Sequence, residues 1–231
     1  MNILVTGANG QLGNEMQVLA KENLQHTYFF TDVQELDICD EQAVYAYVSE
    51  HKIDVIVNCA AYTAVDKAED DAEFCDKLNN VAPGYLARAA QVNGAAMIQV
   101  STDYVFDGTA HIPYTEDQPT CPTSVYGSTK LTGEQNVMNH CEKAMVIRTA
   151  WLYSIYGNNF VKTMIRLGRE RESLGVIFDQ IGTPTYANDL ALAIFAALNK
   201  GIVRGIYHFS DEGVCSWYDF TIAIHRLAGI T

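Results

Sequence analysis

Short apolar runs rich in β-branched and aromatic residues alternate along the chain with longer stretches of helical periodicity. Residues 2–6, 27–31, 54–58, 96–101 and 144–149 read as strands, and residues 11–21, 41–51, 72–93 and 124–140 as helices. Strands separated by helix-length segments imply βαβ units, because a parallel neighbour needs a long crossover to return to the same edge. The strands show no polar alternation. Ile3-Leu4-Val5 and Val55-Ile56-Val57 are continuous apolar runs, as expected when both faces of a sheet are covered. Right-handed crossovers then give an α/β fold with a doubly wound parallel sheet. After about Trp151 the pattern loosens. Helices are expected at 158–171, 188–199 and 217–227, with short strands at 175–178 and 205–209.

Composition narrows the function classes. A chain of 231 residues with 48% apolar and 19% charged residues can bury one substantial core. Lys and Arg number 15 against 28 Asp and Glu, a formal charge of -13. No basic field exists to attract nucleic acid or an anionic membrane, although a helix N-terminus can still hold a small anion locally. No apolar run approaches the roughly 18 residues of a membrane span, and the N-terminal segment reads as a strand rather than a signal peptide. The six cysteines are scattered without a C-x-x-C, so reduced thiols and a cytoplasmic location are expected.

Gly7-Ala8-Asn9-Gly10-Gln11-Leu12-Gly13 follows the first strand and opens a helix. Glycines there permit a tight turn and let backbone N–H groups approach a pyrophosphate, whose charge the helix N-terminus favours. The spacing departs from G-x-G-x-x-G, and a purely structural turn is the rival reading, but strand, glycine turn and helix are the required context. Asp32 stands 19 residues after Gly13, at the end of the second strand. A carboxylate there suits the adenosine ribose hydroxyls and leans toward NADH over NADPH; a turn or capping Asp is the alternative. Asp37 and Ile38 are placed to border the adenine, and Ala61, Tyr62 and Thr63 follow the third strand where small residues let a cofactor pass. The chain is thus expected to be a Rossmann dinucleotide-binding domain over 1–150 with a smaller substrate-binding part over 151–231, interwoven with the sheet.

Tyr126 and Lys130 lie at i, i+4, so they share one helix face. An ammonium beside a phenol favours the phenolate, which would lower the Tyr126 pKa toward working pH for proton transfer. Ser101, Thr102 and Asp103 close the fourth strand at the end where open α/β sheets bind ligands, and a Thr102 hydroxyl there can steady a developing oxyanion. A polar turn is the plainer alternative, most of all for Asp107-Gly108.

The glycine turn, the run from Asn58 to Glu69, Ser-Thr-Asp-Tyr-Val-Phe-Asp-Gly at 101–108, Val-Tyr-Gly-Ser-Thr-Lys at 125–130 and Arg-Thr-Ala-Trp-Leu-Tyr at 148–153 occur in this order. Together with Gly157-Asn158-Asn159-Phe160 and the run 179–185, they resemble the dTDP-4-dehydrorhamnose reductase family of extended short-chain dehydrogenases, over nearly the whole chain. The resemblance implies reduction of the 4-keto group of dTDP-4-dehydro-L-rhamnose to dTDP-L-rhamnose with NADPH or NADH, on a dTDP-sugar substrate. It makes Thr102, Tyr126 and Lys130 catalytic, with Tyr126 and Lys130 also at the cofactor. Gly10, Gln11, Leu12, Asp32, Asp37, Ile38, Ala61, Tyr62 and Thr63 match cofactor positions beside Gly7 and Gly13. Thr102, Asp103 and Trp151 match sugar-nucleotide positions, Trp151 offering a flat face to a sugar ring; a core tryptophan is the other reading.

The chain ends earlier than family members do, so weakened sugar binding with an intact nucleotide half is expected. Some relatives bind Mg²⁺ at a dimer contact. Glu15 matches one ligand position, but Asn188 stands where another acid belongs, so no metal is expected and a homodimer stays open. Two other classes compete: a non-catalytic cofactor-binding subunit like that of methionine adenosyltransferase, which the Tyr126–Lys130 pair disfavours, and a nucleotide-sugar epimerase or dehydratase. A dehydratase calls for an Asp-Glu pair after Thr102, where this chain has Asp103-Tyr104.

Overall fold

A computed structural model describes residues 1–230; Thr231, the last residue of the part expected to bind substrate, lies outside them. Five parallel strands carry the first half: β1 (Asn2–Thr6), β2 (Thr27–Thr31), β3 (Val55–Asn58), β4 (Ala96–Thr102) and β5 (Ala144–Thr149). The helices between them are α1 (Gln11–Ala20), α2 (Glu41–Glu50), the short α3 (Val65–Ala68) and α4 (Ala72–Asp76), α5 (Ala82–Val92) and α6 (Val125–His140). Beyond them come β6 (Leu152–Tyr153), α7 (Phe160–Glu170), β7 (Ile181–Gly182), β8 (Thr185–Tyr186), α8 (Ala187–Lys200), β9 (Gly205–His208), β10 (Cys215–Ser216) and α9 (Trp217–Leu227).

The main sheet has the order β2-β1-β3-β4-β5-β9, parallel throughout. Its sixth strand comes from the later region, which is therefore threaded into the sheet. The chain winds outward from β1 to β2, then returns to β3 on the other side. That reversal opens a crevice beyond the C-terminal ends of β1 and β3. Alternation along each strand feeds two cores. Leu4, Ile56, Met97 and Val146 pack under α2, α5 and α6, while Ile3, Val5, Val57, Ile98 and Ile147 pack under α1 and α8. Continuous apolar runs follow directly from having both faces covered.

Two expectations are corrected. Residues 175–178 form no strand: Ile177 and Phe178 are exposed, and the Ile177 carbonyl accepts from the Tyr218 N–H at 3.1 Å instead of a ladder partner. The pairing falls three residues later, between β7 and β10. The helix expected over 72–93 is interrupted by a π-helical turn, Lys77–Val81. The widened turn lies where α6 comes closest, since a Cβ on Gly133 would sit 2.1 Å from the Asn79 carbonyl oxygen. Such turns recur at functional sites.

Candidate active site

The glycine turn and its helix are locked together by close approach. Gly7 has φ 67°, and a Cβ on it would meet the Ala60 nitrogen at 2.6 Å, so the turn after β1 presses on the segment leaving β3. A Cβ on Gly13 would lie 2.3 Å from the Gly7 carbonyl oxygen, which seats the first turn of α1 directly on the loop. Gly10 is the N-cap of α1 and offers no side-chain acceptor, whereas Asp40, Ser124, Asn159 and Ser216 cap α2, α6, α7 and α9. The first N–H groups of α1 are left for an anion.

A cleft of about 370 Å³ opens beside this turn, lined by Gly7, Gly10, Asp32, Asp37, Ile38 and Ala61 among others. That is within the usual size range of ligand pockets. The Asp32 carboxylate accepts from the Asn9 N–H at 3.0 Å and the Val33 N–H at 2.8 Å, so it stiffens the glycine turn while facing the cleft. Asp37 accepts from the Cys39 N–H. Leu12 is buried in the core, and the Gln11 side chain accepts from Asn159 at 2.9 Å, tying α1 to the cap of α7. The residues present therefore fit a dinucleotide: a glycine cradle that a Cβ would fill, an uncapped helix and an acidic cleft wall.

The Ala61-Tyr62-Thr63 segment is held by a residue that sequence reasoning missed. Asn79, in the π turn, accepts from the Tyr62 N–H at 2.8 Å and donates to the Tyr62 carbonyl at 3.0 Å. Nothing in its helical surroundings marks it beforehand. A buried polar ladder lies beneath: Thr6 donates to Asn58 at 2.6 Å, Asn58 to Gln99 at 2.8 Å and Gln99 to the Val100 carbonyl at 2.9 Å.

Thr102 ends β4, and Tyr126 and Lys130 enter from the first turns of α6. Ser124 caps that helix, and Gly127 lets it close on β4's exit, since a Cβ there would sit 2.2 Å from the Tyr104 carbonyl oxygen. Thr102 Oγ1 donates to Asp103 at 3.1 Å and accepts from the Tyr104 N–H at 3.2 Å. The Tyr104 and Tyr126 rings meet edge to face at 5.4 Å. Burial raises the Asp103 carboxyl above its ordinary range, with the Thr102 hydroxyl partly offsetting it.

The expected influence of Lys130 on Tyr126 is overturned. Tyr126 is 9% exposed, and burial pushes its phenol well above the ordinary value; Thr102 hydrogen bonding opposes this, and Asp103 adds to it. The Lys130 Nζ donates to the Val100 carbonyl, at 2.8 Å. Burial instead pushes the lysine itself down to about 8, against the attraction of Glu134.

This gives a stability prediction. At pH 7 the folded protein holds a buried ammonium whose pKa has fallen from 10.5 to about 8, a cost of up to about 3 kcal/mol. Lys130→Met removes that cost, and Gln99 still donates to the Val100 carbonyl. The variant is expected to unfold at higher urea at pH 7. Wild type sheds the proton in the folded state from about pH 8 upward, so the advantage shrinks there and vanishes near the unfolded value. A variant no more stable than wild type at pH 7 would contradict this.

Trp151 follows β5 with φ 48° and is stacked on Trp217, centroids 3.5 Å apart at 10°. Trp217 thus covers one face of the indole expected to meet a sugar ring, and the Phe220 ring lies 6.4 Å from it at 27°. Glu15 is buried, accepting from Ser154 at 2.6 Å and Asn188 at 3.1 Å. The sequence reading also missed the pair Glu134–Arg148, although Glu134 at i+4 from Lys130 signalled a shared face.

The whole chain, residues 1–231, matches the model of the RmlD substrate binding domain family. A dTDP-4-dehydrorhamnose reductase of Escherichia coli K12 is 44% identical over all of this chain and 80% of its own length. The crystal structure of a dTDP-4-dehydrorhamnose reductase from Clostridium acetobutylicum superposes with a TM-score of 0.96 at 48% identity, covering 100% of this chain and 81% of that one. One from Bacillus anthracis, in complex with NADP, gives 0.94 at 41% identity with the same coverage. No helix among the described residues is long and apolar enough to cross a membrane. By the family model over its whole length and by these relatives, the chain belongs to the dTDP-4-dehydrorhamnose reductase family.

Proposed function

We propose that this protein reduces the 4-keto group of dTDP-4-dehydro-L-rhamnose to give dTDP-L-rhamnose, using NADPH or NADH. The observation that carries this reading is the convergence of Thr102, Tyr126 and Lys130 at the end of β4, where the Lys130 Nζ reaches the Val100 carbonyl. When bound, the reduced nicotinamide supplies the hydride that reaches C4. Tyr126, neutral because burial raises its pKa, holds the proton that passes to the carbonyl oxygen. Thr102 offers a hydroxyl to the same oxygen and Asp103 an acceptor for sugar hydroxyls. Lys130 would hold the cofactor's ribose, and the turn from Gly7 to Gly13 would receive the pyrophosphate. Trp151 walls the sugar. Oxidation of NADPH or NADH by the purified chain that depends on the dTDP-4-keto sugar tests the reading, and cofactor binding without turnover would refute it.

Cofactor choice is testable at one residue. Asp32 is the acidic group on the cleft wall suited to ribose hydroxyls, and it would repel a 2′-phosphate. Asp32→Ala is expected to weaken NADH by on the order of tenfold, the loss of a hydrogen bond to a charged group, and NADPH by less. Fluorescence titration with both cofactors decides it, and equal losses would remove Asp32 from the ribose. Free cysteines and the absence of a membrane-spanning helix among the described residues support a cytoplasmic location. A homodimer rests on the family resemblance, and sedimentation velocity tests it.

A further inference from the structure

Trp151 is one of two non-glycine residues with positive φ among those described. A bulky side chain held in the left-handed region persists only where its surroundings over-determine it, and such residues cluster at ligand clamps. The position is telling: Thr149 pairs in register with Thr102, so Trp151 lies two residues beyond the strand end opposite the candidate oxyanion donor.

Three constraints converge on this one ring. The Trp151 carbonyl accepts from the Thr185 N–H at 3.3 Å, and Leu152 pairs with Thr185, which fixes the backbone. The indole edge fills the space above Gly182, where a Cβ would lie 2.4 Å from Cε2 and 2.8 Å from Nε1. Trp217 covers one face in near-parallel stacking. The last two come from a single device. β7 and β10 form a two-stranded ladder in which Cys215 pairs with Gly182 and Ser216 with Ile181, and Trp217 is the next residue. Ser216 then caps α9 reciprocally with Asp219, and Phe160 packs on Trp217 at 4.4 Å. The ladder thus delivers both the vacancy for the ring's edge and the platform for its face.

We infer that Trp217, with Gly182, is a positioning residue that presets Trp151 as the sugar-facing wall of the crevice and so sets affinity for the sugar nucleotide. This rests on the reading of Trp151 as that wall. An indole stacked on a fixed partner loses its freedom before the substrate arrives, and such preorganisation lowers the entropy lost on binding. The cleft beside the glycine turn is lined by residues of the first half of the chain alone, so the effect is expected on the sugar nucleotide rather than on the cofactor.

The test is steady-state kinetics on the full chain. Trp217→Leu is expected to raise KM for the dTDP-4-keto sugar about tenfold, with kcat and the NADPH KM within about twofold, and Trp217→Phe to recover most of the loss. Gly182→Ala, which keeps both tryptophans but drives a methyl into the ring, is expected to raise the same KM, and it carries the test if the Leu variant fails to fold. The chain has only 2 tryptophans, so a coupled indole signal in the near-ultraviolet circular dichroism of wild type reports the stack directly. Loss of that signal with sugar KM unchanged overturns the inference, as does a parallel change in kcat and both KM values. Trp151→Leu separates the premise: if it leaves the sugar KM unchanged, the reading of Trp151 fails. If it raises KM while Trp217 and Gly182 variants do not, the positioning role alone fails.

Discussion

Tyr126→Phe is expected to lower kcat by on the order of 10²-fold or more while leaving the fold and NADPH binding in place. The substitution removes one hydroxyl from a ring that keeps its edge-to-face contact with Tyr104, so packing survives. What disappears is the proton donor. Burial raises the phenol pKa, so the donor is protonated throughout the neutral range and arrives charged with the proton that ketone reduction consumes. Water is a poor replacement in a crevice where Thr102 and Asp103 are themselves partly withdrawn from solvent, and the developing alkoxide is left with Thr102 alone. Turnover is read from sugar-dependent NADPH oxidation, and cofactor affinity from fluorescence titration. Turnover within a few fold of wild type would remove Tyr126 from the role.

The fold was legible because its core strands are buried on both faces. A run such as Val55-Ile56-Val57 has one plausible environment, and the helices between strands declare themselves by length. The glycine turn was legible for a steric reason that the structure makes explicit at Gly7 and Gly13. Legibility fell where partners are distant in sequence. The apolar stretch around Ile177 and Phe178 carries a strand's composition, but the ladder went to Ile181–Gly182, whose partner lies more than thirty residues on. The π turn at Lys77–Val81 is invisible to helical periodicity, because it answers to α6 packing against Asn79. The charge state of Tyr126 was read from spacing alone, and spacing cannot show that Lys130 Nζ turns to the Val100 carbonyl. Trp217 carried no signal at all, because its significance is the ring it covers.

Arg148→Met is expected to destabilise the protein by about 3–5 kcal/mol, the range for stranding one member of a buried ion pair. Arg148 on β5 and Glu134 on α6 are 4% and 2% exposed, joined by contacts of 2.9, 3.2 and 2.7 Å. The guanidinium also lies over the Phe106 ring at 5.2 Å, so it is enclosed on a further side. Without it, the Glu134 carboxylate stays buried with Lys130, one helical turn away, as its remaining cation. The double variant Glu134→Leu/Arg148→Met replaces the pair with apolar groups and is expected to recover most of the lost stability, since desolvating two charges is itself costly. Urea unfolding of the two singles and the double gives the coupling, expected at 2 kcal/mol or more by the usual range for contacting pairs. Additive losses would show that the two side chains act independently. Activity separates from stability in the same series. Glu134 is the largest influence opposing the fall of the Lys130 pKa. The double variant therefore favours a neutral lysine at the candidate cofactor site, and it is expected to regain its fold without regaining wild-type turnover. The ion pair then serves Lys130 as much as it serves the junction of α6 and β5.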